Sequence, residues 1–287
     1  MPKIDNLTET LLPAVEIDFV SQFGGGMGRL LDILSVERRI EMPIGSTIKT
    51  YTSKVTLDGT KVGKGEIIPL SKVEMTEGEK LELEWDKKRK EVTAEDIQKY
   101  GRETAVVRTD NLLKRKCQGE LKAKLYKQLG EGTTKITVDS LQGALAQGWG
   151  NMLTKFEDDD ITTVAFVNAL DIATYLEGKE ITLQKEFGMT YLTNFLGIDI
   201  VIVANAVPKG TVYTTVADNL VLAYANMGSK ELSDFGMTTD ETGIIGITHS
   251  TETNRLAIDT IVANAMLLYA ERLDGIVVAT ITPKKSK

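Results

Sequence analysis

Residues 93–132 read TAEDIQKYGR ETAVVRTDNL LKRKCQGELK AKLYKQLGEG, and the rest of the chain is placed by this stretch. Thr93-Ala-Glu-Asp96 has the form of a helix N-cap, a hydroxyl whose oxygen can accept from an orphan backbone N–H. Ile97 and Tyr100 give the short segment an apolar side, and Gly101 interrupts it. From Arg102 to Leu129 no proline occurs, and only Gly119 weakens the helical pattern. Val106, Leu113, Cys117, Leu121 and Leu125 recur at spacings of seven and then four, which puts them along one face. A helix over that range is a rod of about 42 Å at ~1.5 Å per residue. Gly130 and Gly132 then stop it. Such a rod is long for a domain of this size and is expected to serve as a spine.

The chain has 287 residues, 42% hydrophobic and 26% charged, enough to bury a sizeable core. One large domain with appendages, or two lobes, is the expected partition. Lys and Arg number 34 against 41 Asp and Glu, a net charge of −7, which argues against a role resting on charge attraction to nucleic acid or anionic lipid. Cys117 is the single cysteine, so no internal disulfide can form. No apolar run approaches the roughly 18 residues of a membrane helix, and no basic segment followed by an apolar one opens the chain. The expectation is a protein neither exported by a signal peptide nor membrane-anchored.

Working outward, residues 1 to about 38 read as an arm. Ala14-Val-Glu-Ile-Asp-Phe-Val20 alternates, Gly24-Gly-Gly26 removes three side chains, and Met27 to Val36 can form a short amphipathic helix. The triplet lacks the Gly-Lys-Ser/Thr that a phosphate loop needs, so a hinge is expected. Between Ile40 and Glu91, Ser46 to Thr56 is rich in β-branched residues, Asp58-Gly59, Gly63, Gly65 and Pro69 mark turns, and Lys80 to Asp86 alternates with Leu81, Leu83 and Trp85 on one face. This reads as a long hairpin with a glycine-rich tip. A lone two-stranded hairpin is marginal in water, so its apolar stripe needs a partner surface.

Beyond the spine, an α/β lobe is expected: a helix over Asp139–Phe156 with Leu141, Leu145, Trp149 and Met152 on one side, a strand at 162–167, a helix capped by Asn168, and strands at 198–203, 211–215 and 220–225. Residues 243–251 and 256–268 then read as two long strands across a polar turn at Glu252 to Arg255. Leu256, Ile258, Val262, Met266 and Leu268 share one parity suited to packing on the spine. Gly275 to Ile281 is a final buried strand, and Lys284, Lys285 and Lys287 form a short solvated tail.

Chemistry is nearly absent. His249 is the only histidine, in a Thr/Ser-rich strand with no local carboxylate pattern, and reads as a solvated or hydrogen-bonded strand residue rather than a catalyst. Cys117 follows Lys114, Arg115 and Lys116 but sits on the apolar helix face and reads as core. Glu157-Asp-Asp-Asp160 is the densest acidic cluster. A divalent ion near Asp158–Asp160 is conceivable, yet the run lacks calcium-loop spacing and reads as a solvated loop. No catalytic, cofactor-binding or metal-ligating residue is assigned, no cofactor is expected, and the chain is not expected to be an enzyme.

An arm, a long hairpin, a spine helix, an α/β lobe and a return hairpin occur in that order. With them come Thr93 to Gly101, Ala105-Val-Val-Arg-Thr-Asp110, Leu145-Ala-Gln-Gly-Trp149 and Phe187-Gly-Met-Thr-Tyr-Leu192. Val207-Pro-Lys-Gly210, Asn219-Leu-Val-Leu-Ala-Tyr224, Thr239-Asp-Glu-Thr-Gly243 and Leu273-Asp-Gly-Ile-Val277 complete the set. On these collinear stretches the sequence resembles the major capsid proteins of tailed bacteriophages, of the Hong Kong 97-type fold, and among them the group from siphophages of Gram-positive hosts.

The resemblance implies an α+β fold with an N-terminal arm (1–38), an extended β-hairpin loop (39–92), a peripheral domain (93–135 and 229–269) holding the spine and the long return hairpin, and an axial α/β domain (136–228 and 270–287). It implies self-assembly as pentamers and hexamers into an icosahedral shell around double-stranded DNA, with a portal at one vertex, possible decoration proteins and no membrane. The implied location is the virion capsid, assembled in the host bacterial cytoplasm. No long helical extension stands at the N-terminus to act as a fused scaffold and Met1 is present, so a separate scaffolding protein is expected. Some family members join a loop lysine to a neighbour's asparagine. Lys61, Lys64 and Asn254 supply the residue types, but no motif fixes a catalytic carboxylate beside them, and uncrosslinked shells are expected. An encapsulin-like nanocompartment shell is the alternative, and a metal-dependent α/β enzyme using Asp158–Asp160 a weaker one.

Overall fold

The spine forms as its punctuation dictates. In the computed structural model, which describes residues 7–282 apart from 57, 60, 66, 68, 157–160, 178–182 and 187–188, Thr93 Oγ1 accepts from the Asp96 N–H and caps a short helix (Ala94–Tyr100). Gly101, at φ 80°, breaks it, and a 28-residue helix runs over Arg102–Leu129. Val106, Cys117, Leu121 and Leu125 are buried along its length, and Leu113 packs against the core that holds the last three. Side chains of 7–14, 53–55, 79, 186 and 189 lie outside the description, as do Asp158–Asp160 and the lysine tail.

In chain order the elements are α1 (Leu7–Ile33), β1 (Arg39–Glu41), β2 (Thr47–Thr56), β3 (Lys72–Glu82), β4 (Asp86–Thr93), α2 (Ala94–Tyr100) and the spine α3 (Arg102–Leu129). Then follow β5 (Thr134–Val138), α4 (Leu141–Phe156), β6 (Thr163–Val167), α5 (Ala169–Leu176), β7 (Gln184–Glu186), β8 (Met189–Phe195) and β9 (Ile198–Val203). The chain closes with β10 (Thr211–Val216), β11 (Leu220–Tyr224), β12 (Thr238–Thr239), β13 (Ile245–Glu252), β14 (Ala257–Asn264), β15 (Met266–Ala270) and β16 (Val277–Ile281).

A seven-stranded mixed sheet, ordered β5-β16-β10-β6-β9-β8-β7, carries the α/β lobe. Every residue of its central β6 is buried, as expected of a strand covered on both faces. Ala165 and Val167 face a cluster with Leu141, Leu145 and Ile172 of α4 and α5. Val164 and Phe166 face the spine, where Tyr126 meets Phe166 edge to face at 5.6 Å. Asn168 caps α5 as expected, its Oδ1 accepting from the Leu170 N–H at 2.9 Å while Nδ2 donates to the Val207 carbonyl at 2.6 Å. Trp149 departs from expectation: it is exposed while Leu141, Leu145 and Met152 are buried.

The spine also lies on a four-stranded antiparallel sheet, β12-β13-β14-β4, and against β15 of a three-stranded sheet, β1-β11-β15. The expected single strand 256–268 is two. β14 pairs with β13 and β4 up to Asn264, and β15 pairs with β11 from Met266 onward, so the chain changes sheets at the buried Ala265. Leu256 is exposed at the turn, whereas Ile258, Val262, Met266 and Leu268 are buried. The stretch 80–86 is likewise divided: β3 ends at Glu82, Leu83 is buried in its own small cluster, and β4 leaves to pair with β14.

The largest correction concerns residues 7–33. Gly24-Gly-Gly26 is no hinge; it lies inside α1, which is continuous from Leu7 to Ile33. Phe19, Val20, Phe23, Met27, Leu30 and Leu31 follow a helical spacing and are buried against the spine and β13. A Cβ on Gly24 would stand 1.8 Å from Asp240 Oδ2, so the missing side chain lets the helix approach the turn before β13. Burial of that apolar face outweighs the ~1 kcal/mol each interior glycine costs a helix.

Candidate assembly surface

β2 and β3 form a two-stranded ribbon, joined to the body by a single bridge between Tyr51 and Arg272, and the ribbon has two unlike halves. At its base Ile48 is buried beside Val221, Ala223 and Tyr269, with Leu81 packed against the same group. The register then shifts between Lys49 and Tyr51, where Thr50 is buried and Gly78 lies opposite. A Cβ on Gly78 would come within 2.7 Å of both Leu273 Cδ1 and Thr50 Oγ1, so glycine is what allows this close approach. Here the Tyr51 N–H donates to the Glu271 carbonyl and the Leu273 N–H to the Tyr51 carbonyl, both at 3.1 Å.

Past this anchor none of the described residues from Thr52 to Glu77 is buried. The paired segment from Tyr51 to Thr56 carries it about 20 Å onward at ~3.3 Å per residue. Every residue from Ser71 to Glu77 is exposed. Val73 and Met75, on one face, are 62% and 63% exposed, and Ile67 and Leu70 in the loop are 94% and 96% exposed. Lys49 and Glu77 pair at 2.6 Å, and Lys72 pairs with Glu74, so the polar residues stiffen the ribbon without covering its apolar ones. Leu256, whose carbonyl accepts from the Ala94 N–H, and Tyr100 at the far end of α2 are exposed as well.

His249 has the carboxylates its neighbours in sequence lack. Its ring is 0% exposed, with Nδ1 2.9 Å from Glu16 Oε1 of α1 and Nε2 3.2 Å from Asp110 Oδ2 of the spine. The His249 backbone N–H also donates to Glu16 Oε1 at 2.7 Å, and Thr238 Oγ1 donates to Glu16 Oε2 at 2.5 Å. Register places His249 opposite Thr260, and Thr260 opposite Lys90, so one row crosses β13, β14 and β4 beneath the spine. Lys90 Nζ ends the row 2.7 Å from Asp110 Oδ1 and donates to the Val106 carbonyl at 2.8 Å. Burial lowers the Lys90 pKa, opposed by Asp110. Within this row the His249 ring is shut off from solvent.

The other sequence candidates stay apart. Cys117 is buried, and desolvation pushes its thiol up to about 11. Lys61 and Lys64 are exposed in the hairpin loop and Asn254 in the β13–β14 turn. The Asp158–Asp160 cluster lies outside the described residues. Among the described residues no three His, Cys, Asp or Glu side chains are grouped to hold a metal ion, and no helix is long and apolar enough to cross a membrane.

No protein-family model and no curated protein sequence matches the chain. Solved structures do match it. The virus-like particle from Pyrococcus furiosus aligns over 91% of this chain and 97% of its own, with a TM-score of 0.52 at 15% identity. The capsid of cyanophage P-SCSP1u aligns over 86% of each chain, with a TM-score of 0.53 at 11% identity. The encapsulin of the holo-SrpI complex from Synechococcus elongatus aligns over 87% of this chain and 88% of its own, with a TM-score of 0.53 at 10% identity. The fold is of the Hong Kong 97 type.

Proposed function

We propose that this chain is the major capsid protein of a tailed double-stranded DNA bacteriophage, self-assembling as pentamers and hexamers into an icosahedral shell. The observation that carries the reading is the outer half of the β2–β3 ribbon, which gathers four exposed apolar side chains, Ile67, Leu70, Val73 and Met75, on one projecting element. Exposed apolar groups gathered on one projecting element mark an interaction site. A head-to-tail contact made by such an element closes into rings when the rotation permits. The similar structures are shells and particles rather than enzymes, which supports a structural role.

In this reading α3 with β13 and β14 forms the peripheral part, the seven-stranded sheet forms the axial part, and β2–β3 lies over a neighbour. Its partners are further copies of itself, a separate scaffolding protein, a portal at one vertex and possible decoration proteins. A net charge of −7 suits a shell that encloses DNA without binding its sequence and without condensing it by basic arms. The chain then resides in the virion after assembly in the host cytoplasm.

Electron microscopy of the purified protein, alone and with a candidate scaffold, is the test: closed particles are expected, and a persistent monomer at high concentration overturns the proposal. An encapsulin-like compartment is the second reading, favoured by the likeness to the encapsulin at the same TM-score, 0.53, as the cyanophage capsid. The contents of particles from the native source separate the two: DNA for the first, an enclosed enzyme without DNA for the second.

A further inference from the structure

We propose that Glu16, His249 and Asp110 form a proton-operated latch that holds the N-terminal half of α1 on the spine, closed while the imidazole carries both protons and opened when it loses one. The geometry selects the imidazolium. Each ring nitrogen faces a carboxylate oxygen, at 2.9 Å and 3.2 Å, and a neutral imidazole has a single N–H to offer. With one proton gone, one of the two carboxylates would face a lone pair, in a site where the ring has no exposure to water that could take its place.

The charges point the same way. Glu16 faces the ring from α1 and Asp110 from α3, while Lys90 of β4 reaches Asp110; β14 and β12 contribute only the neutral Thr260 and Thr238. Two cations and two anions balance when His249 is protonated, and deprotonation leaves a buried negative charge uncompensated. Burial alone would lower the His249 pKa, but its bonds to Asp110 and Glu16 reverse that and leave it above 6.5. Glu16 is raised by burial and lowered further by His249 and Thr238, ending below 4.5. A raised histidine stabilises fully below its unfolded value and loses that stabilisation as pH climbs through the folded one; a depressed carboxylate does the reverse. The latch is therefore fully closed between about 4.5 and 6.5, and it opens on the alkaline side.

The opening is bounded. Glu16 is the first buried side chain described on α1, and Ile17 and Asp18 are exposed. From Phe19 onward the helix is held by apolar burial, which does not titrate. Release reaches as far as Asp18 and stops.

Because the chain has one histidine, a full-length sample labelled with 15N-histidine gives ring signals from His249 alone. Two protonated ring nitrogens are expected at pH 6, with a midpoint above 6.5. Amide exchange followed by mass spectrometry and corrected for its intrinsic pH dependence should rise about tenfold or more over residues 7–18 through that midpoint, the loss of one charged hydrogen bond, while 19–33 stay unchanged. E16Q keeps the helix but removes an anion, so its midpoint should fall and its exchange lose the pH step. H249Q should show no step at any pH. A single protonated nitrogen at pH 6, or exchange over 7–18 that ignores the His249 titration, overturns the proposal.

Discussion

Replacing Val73 and Met75 together by serine should abolish assembly at concentrations where the parent chain assembles, and leave the lone subunit as stable as before. Full burial of a valine or methionine side chain is worth about 1.5–3 kcal/mol. Each of these is a little over 60% exposed, so covering the remainder under a neighbour supplies roughly 1–2 kcal/mol apiece. The pair then contributes about 2–4 kcal/mol per contact, or roughly a 30- to 700-fold change in association at ~1.4 kcal/mol per tenfold. Each subunit donates one such ribbon, so the concentration needed for assembly should rise by about that factor. Light scattering and sedimentation across a concentration series read that threshold, and thermal unfolding of the unassembled protein reads stability. The lone-chain change should stay within about 0.5 kcal/mol, as for surface sites. Ile48→Ala at the buried base of the same ribbon is the contrast: it should cost about 2–4 kcal/mol of folding. Particles forming at the parent's threshold, or a double variant that unfolds as early as Ile48→Ala, would refute the division between anchored base and uncovered tip.

Gly132→Ala should destabilise by about 1–3 kcal/mol, since its Cβ would lie 2.7 Å from Ile276 Cγ2 and 3.0 Å from the Ile276 carbonyl oxygen. Gly150→Ala, with nothing within 4 Å and a place inside α4, should instead stabilise by about 0.5–1 kcal/mol; thermal unfolding of the two side by side checks the opposite signs. Asn168→Ala removes the α5 cap and strands the Val207 carbonyl, at a cost of about 2–3 kcal/mol, and Asn168→Asp should recover the part due to the cap, both read by denaturant unfolding. Cys117, with its thiol near 11, should ignore thiol reagents at pH 8 in the native protein and react once unfolded; rapid native labelling would contradict its packing.

The spine was legible because local chemistry and tertiary structure agree there: Thr93 caps, Gly101 breaks, Leu113, Cys117, Leu121 and Leu125 meet one core, and Val106 is buried in a smaller cluster with Val92 and Ile258. α1 was misread because its local signals point the other way. Three consecutive glycines favour a break, and residues 14–20 alternate when taken alone. The helical spacing from Phe19 through Phe23 to Met27 and Leu30 spans the triplet, and it is decided by surfaces distant in sequence, the spine and β13. His249 shows the same limit, since Glu16 is 233 residues distant and Asp110 is 139. One signal was present. Asp110 sits between Val106 and Leu113 on the spine's apolar face, and a carboxylate there demands a partner. The seven-residue gap in the apolar row was itself that demand.

The chain puts ionic groups inside and apolar groups outside, and the two choices are connected. A buried ionic row adds little net stability, because desolvation consumes most of the attraction, but breaking one member leaves an unpaired charge at a cost of about 3–5 kcal/mol. Such a row tolerates a single register of β13, β14 and β4 beneath α3 and α1. It therefore fixes the platform without depending on any neighbour. The ribbon is tied to the rest of the body by main-chain bonds at Tyr51 and Leu273, beside a contact only Gly78 permits. Its outer apolar residues add nothing to that attachment. The fold's attachment of the ribbon thus leaves Ile67, Leu70, Val73 and Met75 uncovered, and in the proposed function the free energy of covering them is what a second copy gains.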